Sequence, residues 1–226
     1  MGYNKERLTP DKMVPTQMPP EQGFGSRELM TWIQEEVRES QRVKQAFLQE
    51  CAETLAAICV ALSEKLGRGG KLLLFGNGGS AADAQHISAE FVGRYCCERA
   101  AIPAMALTVN SSTVTAVAND YGYDEVFARQ VAAFGMKNDV AIGISTSGNS
   151  PSVLRGIATA RELEMLTIGF TGGFGGSLQR AVDLCLAVPS SATSRIQECH
   201  ILAGHIVSAH CERMLVRSAV QTSMGG

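Results

Sequence analysis

The chain has 226 residues, 45% of them hydrophobic, and 20 Lys and Arg stand against 22 Asp and Glu to leave a formal charge of -2. That length accommodates one α/β domain with a real core and some additional helix, and a near-neutral balance without a basic block argues against a nucleic-acid partner. No apolar segment reads as approaching the roughly 18–20 residues of a membrane helix and the N-terminus lacks the apolar stretch of a signal peptide, so the expectation is a cytoplasmic protein without a membrane partner.

Residues 1–25 hold Pro10, Pro15, Pro19 and Pro20 among scattered charges and glycines, a composition that predicts a poorly ordered tail. Ser26 is a candidate N-cap, with Glu28 in the first turn behind it. Leu29, Ile33, Val37, Val43, Phe47, Leu55, Ile58, Leu62 and Leu66 then recur at helical spacing, predicting two helices or one long bent one that ends at Gly67 and the Gly69-Gly70 pair. Amphipathic helices ahead of an α/β core pack on that core or on a neighbouring subunit, so an oligomer is expected.

An apolar run at 71–75 without alternation predicts a strand buried on both faces of a parallel sheet. It stops at the glycine-rich turn GNGGS (76–80), after which the pattern turns helical, with His86 and Glu90 four residues apart on one face. Further strands are predicted at 104–109, 140–144, 165–170 and 184–188. The intervening helices include a short one ending near Asn119 and Asp120, an amphipathic segment at 125–134 and a helix at 152–163. A closing helix runs from Arg195 to about Arg217 and carries His200, His205 and His210. Strands separated by helices predict βαβ units and a doubly wound α/β fold, a parallel sheet between two helical layers with the N-terminal helices added. The domain is expected over 26–217, with 218–226 as a C-terminal tail. Seven cysteines without C-x-x-C spacing, mostly inside apolar patterns, read as reduced core thiols.

In such sheets ligands bind at the carboxyl ends of the strands, so the loops at 77–80 and 145–150 should converge. The second, STSGNSP (145–151), offers hydroxyls, a glycine and the N–H groups of a helix start, which suits a sugar phosphate. The plain alternative is a serine-rich turn with Ser150 as N-cap and Pro151 at the first helical position. Neither a Walker lysine nor a G-x-G-x-x-G fingerprint is present, which disfavours a nucleotide. His86 and Glu90 could be metal ligands, an acid/base pair or a surface ion pair. On the closing helix His200 and His205 diverge by about 140° and cannot face one target, whereas Gln197, Ile201 and His205 form a ridge, with Gln197 and His205 about 12 Å apart along the axis. His200 and His210 are expected to be structural or surface residues.

The segments GNGGSAADAQHISAEFVGRY, NDYGYDEVFARQV, GISTSGNSPSV, TGGFGG and RIQECHILAGH, in that order, resemble the sugar isomerase (SIS) domain, and within it the phosphoheptose isomerase branch, over about residues 27–217. The resemblance implies a flavodoxin-like three-layer sandwich and conversion of sedoheptulose 7-phosphate to the aldose, D-glycero-D-manno-heptose 7-phosphate, through an enediol. That reaction would be the first step of bacterial ADP- or GDP-heptose biosynthesis for lipopolysaccharide. Substrate and phosphate contacts are implied at Asn77, Gly78, Gly79, Ser80, Glu90, Asn119, Asp120, Ser145, Thr146, Ser147, Ser150 and Gln197, a zinc site at His86, Glu90, Gln197 and His205, catalysis by Glu90 and His205, and a homotetramer. Some relatives carry an acidic residue where Ser194 stands, a departure that bears on substrate preference. SIS domains also serve as non-catalytic binding modules, including a replication-initiator-associating protein that lacks counterparts of Glu90 and His205, and isomerases of other phosphosugars share the fold.

Overall fold

Parallel strands joined through helices make up the computed structural model, which describes residues 25–224, with side chains as far as Arg217. The chain divides into two compact units, Met1–Glu39 and Ser40–Gly226. In the first, residues 25–39 open helix α1 (Ser26–Gly67). Leu29 N–H donates to the Gly25 carbonyl at 3.1 Å, and Gly25 N–H donates to Glu28 Oε2 at 3.1 Å. The cap therefore falls on Gly25, one residue before the expected Ser26, because the Glu28 carboxylate satisfies the backbone there without a serine hydroxyl. The proline-rich segment expected to be a tail lies, up to residue 24, outside the described residues.

Within the second unit α1 buries Val43, Phe47, Cys51, Leu55, Ile58, Cys59, Leu62 and Leu66, a stripe at helical period. It is one element where the spacing left open two. By length and composition α1 is apolar enough to cross a bilayer, which corrects the expectation that no segment approaches that length. Its apolar stripe is nonetheless part of the protein core.

The order continues β1 (Leu72–Gly76), α2 (Gly79–Val92), β2 (Ala104–Ala106), α3 (Ser111–Tyr121), a 3-10 turn (Tyr123–Glu125), α4 (Val126–Phe134), β3 (Val140–Ile144), α5 (Pro151–Glu162), β4 (Leu166–Gly172), α6 (Leu178–Ala181), β5 (Leu184–Val188) and α7 (Thr193–Met224). The strands pair in the order β2-β1-β3-β4-β5, all parallel, the flavodoxin-like arrangement. Successive β1 side chains point to opposite faces: Leu72 and Leu74 join a core with α1, α2 and α7, while Leu73 and Phe75 join a second core with α4 and α5. Three layers result. β1 leads into a helix on one face and its neighbour β3 into a helix on the other, so a crevice opens between their carboxyl ends.

β2 stops at Ala106, short of the expected 109, although Leu107 N–H still donates to the Leu74 carbonyl at 2.9 Å. α7 runs past the expected end to Met224, so the segment read as a tail is helical over much of its length. At the amino ends of the strands Asp139 accepts from the Lys71 and Met136 N–H groups at 2.9 and 2.8 Å and pairs with Lys71 Nζ. All seven cysteines are free, and Cys51, Cys59, Cys199 and Cys211 are buried. Burial pushes the Cys211 thiol up to about 12. Most thus take the core role expected of them, while Cys96 and Cys97 are exposed.

Candidate active site

The two loops expected to converge do so. Asn77, leaving β1, donates from Nδ2 to Ser150 Oγ at 2.8 Å and Ser152 Oγ at 3.0 Å, and its Oδ1 accepts from the Tyr123 hydroxyl at 2.7 Å. Between the loops lies a cleft of about 200 Å³ lined by Asn77, Ser80, Ile144, Ser145, Thr146, Ser147 and Ser150. Gly78 turns the chain with φ 57° and Gly79 begins α2. Ser150 occupies the cap position of α5 with Pro151 behind it, yet its hydroxyl makes no capping bond. Accepting from Asn77, it joins the two loops, which the plain turn reading did not require. Among the described residues no lysine or arginine lines this cleft, so an anion there is held by hydroxyls and by N–H groups at helix starts.

A second glycine loop supports the cradle from behind. Ser177 N–H donates to Asn149 Oδ1 at 2.9 Å and Leu178 N–H to the Gly148 carbonyl at 2.8 Å. Gly148 has φ 66°, and a Cβ there would fall 2.1 Å from the Gly175 carbonyl oxygen. Only glycine serves at this position.

The second cluster lies where α2 runs beside α7. His86 Nε2 stands 3.2 Å from Glu90 Oε1 and 3.1 Å from His205 Nε2, and the donor atoms of all three residues lie within 4.8 Å of one another. The close approach of the helices depends on Gly204, where a Cβ would fall 2.5 Å from Ile87 Cγ1. Gln197 stands nearer the cradle: a Cβ on Gly79 would fall 2.2 Å from its Nε2. The contacts Gly79–Gln197 and Ile87–Gly204 ascend together, so α2 and α7 run in the same direction, with Gln197 at the cradle end of their groove and the three-residue cluster further along.

Comparison with known proteins gives this arrangement a family. The SIS domain model matches residues 37–172. Phosphoheptose isomerase of Roseiflexus sp. is 53% identical over 184 residues, 81% of this chain and 93% of the relative, and that of Aquifex aeolicus is 50% identical over 178 residues, 79% and 93%. The chain belongs to the phosphoheptose isomerase family of SIS-domain proteins. Solved structures agree: phosphoheptose isomerase from Neisseria gonorrhoeae superimposes with a TM-score of 0.76 at 41% identity, covering 82% of this chain and 98% of that one. The Francisella tularensis protein gives 0.79 at 36% identity, covering 81% and 98%.

Other sequence candidates of this SIS domain are placed differently. Asn119 donates to Asp120 at 2.8 Å on an exposed stretch of α3, and neither is among the residues that line the cleft itself. Ser194 is exposed in the first turn of α7. His200 points the other way from His205, as its spacing requires: it is fully buried and Nε2–H donates to the Thr171 carbonyl at 3.0 Å. Burial pushes its imidazole down to about 4, against the opposing pull of that carbonyl. His210 is half-buried.

Two features escaped the sequence reading. Asp83, one turn before His86, has Oδ2 buried without a hydrogen-bond partner among the described residues, and burial raises its carboxyl to about 6 while His86 pulls the other way. Further along, Glu212 of α7 is buried and pairs with Arg99. The available signal was an acid seven residues after His205, about two turns on and hence on the same helix face, within a largely apolar run.

Proposed function

We propose that the chain interconverts sedoheptulose 7-phosphate and D-glycero-D-manno-heptose 7-phosphate as an aldose–ketose isomerase. The observation that carries the reading is an anion cradle at the start of α2 and a carboxylate–imidazole cluster further along it, completed by His205 of α7. From Ser80 to the level of His86 is about 9 Å along α2 at 1.5 Å per residue. An extended seven-carbon chain and its phosphate ester span about 10 Å at roughly 1.2 Å per bond, a length comparable with that rise.

Isomerisation moves a proton between C1 and C2 through an enediol and shifts a hydroxyl proton between O1 and O2. In this reading Glu90 takes the C1 proton of the ketose and returns it at C2, and His205 carries the hydroxyl proton. Ser145, Thr146, Ser147 and Ser150 hold the phosphate. Asn77, Gly78, Gly79 and Ser80 hold the phosphate and sugar, and Gln197, Asn119 and Asp120 bind the sugar hydroxyls.

The donor set also suits zinc. Two imidazole nitrogens and a carboxylate oxygen 3.1 and 3.2 Å apart approach the roughly 3.3 Å between ligands of a tetrahedral site, and three protein ligands are the usual complement of a catalytic one. His86, Glu90 and His205 would hold the ion, and Gln197 would supply an oxygen donor by leaning along the groove. Bound zinc would polarise the carbonyl and stabilise the enediolate. Glu90 must then be loosely held, since a tightly bound carboxylate is a weak base. The same reading carries a cytoplasmic protein serving lipopolysaccharide heptose synthesis and a homotetramer, the last of these supported by the exposed Leu29, Met30, Ile33 and Val37 of the first unit.

Purified protein given sedoheptulose 7-phosphate and zinc should form the aldose, detectable by NMR, and a chelator should suppress it. Glu90→Gln, with the fold intact by circular dichroism, should lower kcat by about 10²–10⁴-fold. Absence of product from folded, zinc-supplied protein overturns the reading in favour of a binding module.

A further inference from the structure

The segment between α2 and β2, residues 93–103, has no regular secondary structure, yet it is held by the most heavily bonded ion pair near the site. Glu212 Oε1 accepts the N–H groups of Cys96 and Cys97 at 2.8 and 2.7 Å, and Oε2 accepts the Tyr95 N–H at 2.9 Å and faces Arg99 Nε at 3.3 Å. Arg99 in turn donates from Nη2 to the carbonyl of Glu90 at 2.8 Å and from Nη1 to those of Phe91, Gly93 and Ala100 at 2.9, 3.1 and 3.0 Å. Its side chain is 6% exposed and that of Glu212 2%.

The anchor points coincide with the reactive groups. One end grips the backbone of Glu90 itself, closing the last turn of α2. The other fixes Tyr95, whose ring centroid lies 5.7 Å from that of His205, while His86 stands on the same imidazole at 5.1 Å. His205 is thus flanked by two rings, and the tyrosine has its backbone fixed by a residue two turns along His205's own helix. Burial works to raise the Glu212 carboxyl, but the three backbone donors and Arg99 outweigh it and hold the group below its usual range. The Glu212 carboxylate is therefore ionised near neutral pH.

We infer that Tyr95, fixed by the Arg99–Glu212 clamp, is a positioning residue that holds the His205 imidazole towards His86 and Glu90. The inference deepens the isomerase reading and rests on it for its kinetic part. A buried ion pair serving stability alone would leave the ring of Tyr95 dispensable. A clamp that acts through Tyr95 makes the ring matter, the hydroxyl not, and the contributions of residues 95 and 212 overlap.

The test uses the full chain with zinc and sedoheptulose 7-phosphate, comparing Tyr95→Phe, Tyr95→Ala, Glu212→Gln and the Tyr95→Ala/Glu212→Gln double variant. Tyr95→Ala is expected to lower kcat about tenfold or more with KM within about threefold, since the phosphate cradle is untouched. Tyr95→Phe should stay within about twofold of wild type. Glu212→Gln should speed amide hydrogen exchange at residues 95–97 and lower kcat, with a smaller further loss on the Tyr95→Ala background than on wild type, the remainder coming from the Arg99 grip on Glu90. Wild-type kcat in Tyr95→Ala, or losses at 95 and 212 that multiply independently, overturns the inference. Should Glu212→Gln fail to fold, the Tyr95→Phe and Tyr95→Ala pair decides. If the wild-type protein has no turnover, the isomerase reading falls by itself. Positioning is then judged by ring-proton NOEs between residue 95 and His205, expected in wild type and Tyr95→Phe, and their absence in wild type overturns it.

Discussion

His200 and His205 are five residues apart on α7 and have opposite surroundings, one sealed under the sheet and one at the cluster. His200 is neutral in the folded chain because burial holds its pKa at about 4, against about 6.5 when unfolded. Between those values the unfolded chain binds the extra proton, so stability is full above pH about 6.5 and falls as pH drops towards 4. The loss attributable to this one group is about 3 kcal/mol. Urea unfolding at pH 7, 5.5 and 4 should show it in wild type, while His200→Gln should lack that part of the pH dependence. At this scale the sequence was legible wherever partners are local: His86 and Glu90 meet because i, i+4 residues share a face, and the divergence of the two histidines follows from helix geometry alone. Tyr95, Arg99 and Glu212 were illegible because their bonds join an irregular segment to a helix more than a hundred residues later, and no periodicity encodes such a pairing.

At the scale of elements, the strands and helices were readable from continuous apolar runs and helical stripes, and the serine loop from its composition. The register of α2 against α7 was not, since it depends on a single missing Cβ. Gly204 lets Ile87 in, and that contact brings His205 to His86. Gly204→Ala should force the helices apart, costing about 1–3 kcal/mol despite the better helix propensity of alanine, and it should reduce kcat more than an equally destabilising change elsewhere. Adding Ile87→Ala, which removes the opposing Cγ1 and Cδ1 atoms, should recover part of the kcat loss. Thermal unfolding and steady-state kinetics on the single and double variants check this.

For the whole molecule, the two ends of the parallel sheet have separate duties. The carboxyl ends carry the cradle, whereas the amino ends carry the buried carboxylate of Asp139, which ties the start of β1 to the turn before β3 through Lys71 and Met136. Asp139→Ala leaves those donors unsatisfied and should destabilise the fold by about 3 kcal/mol. In the fraction that remains folded, kcat and KM should stay within about twofold of wild type. Denaturant melts paired with active-site-normalised kinetics separate the two effects.

The parallel course of α2 beside α7 has a last consequence. In the proposed isomerase the same stiff rod would begin beside the phosphate and end its third turn at the reacting carbons, so the grip on the ester would work as a lever arm: it would convert affinity at one end of the sugar into alignment at the other. A heptulose stripped of its phosphate would keep its carbonyl and lose its bearing, so the handicap would appear in turnover more than in occupancy.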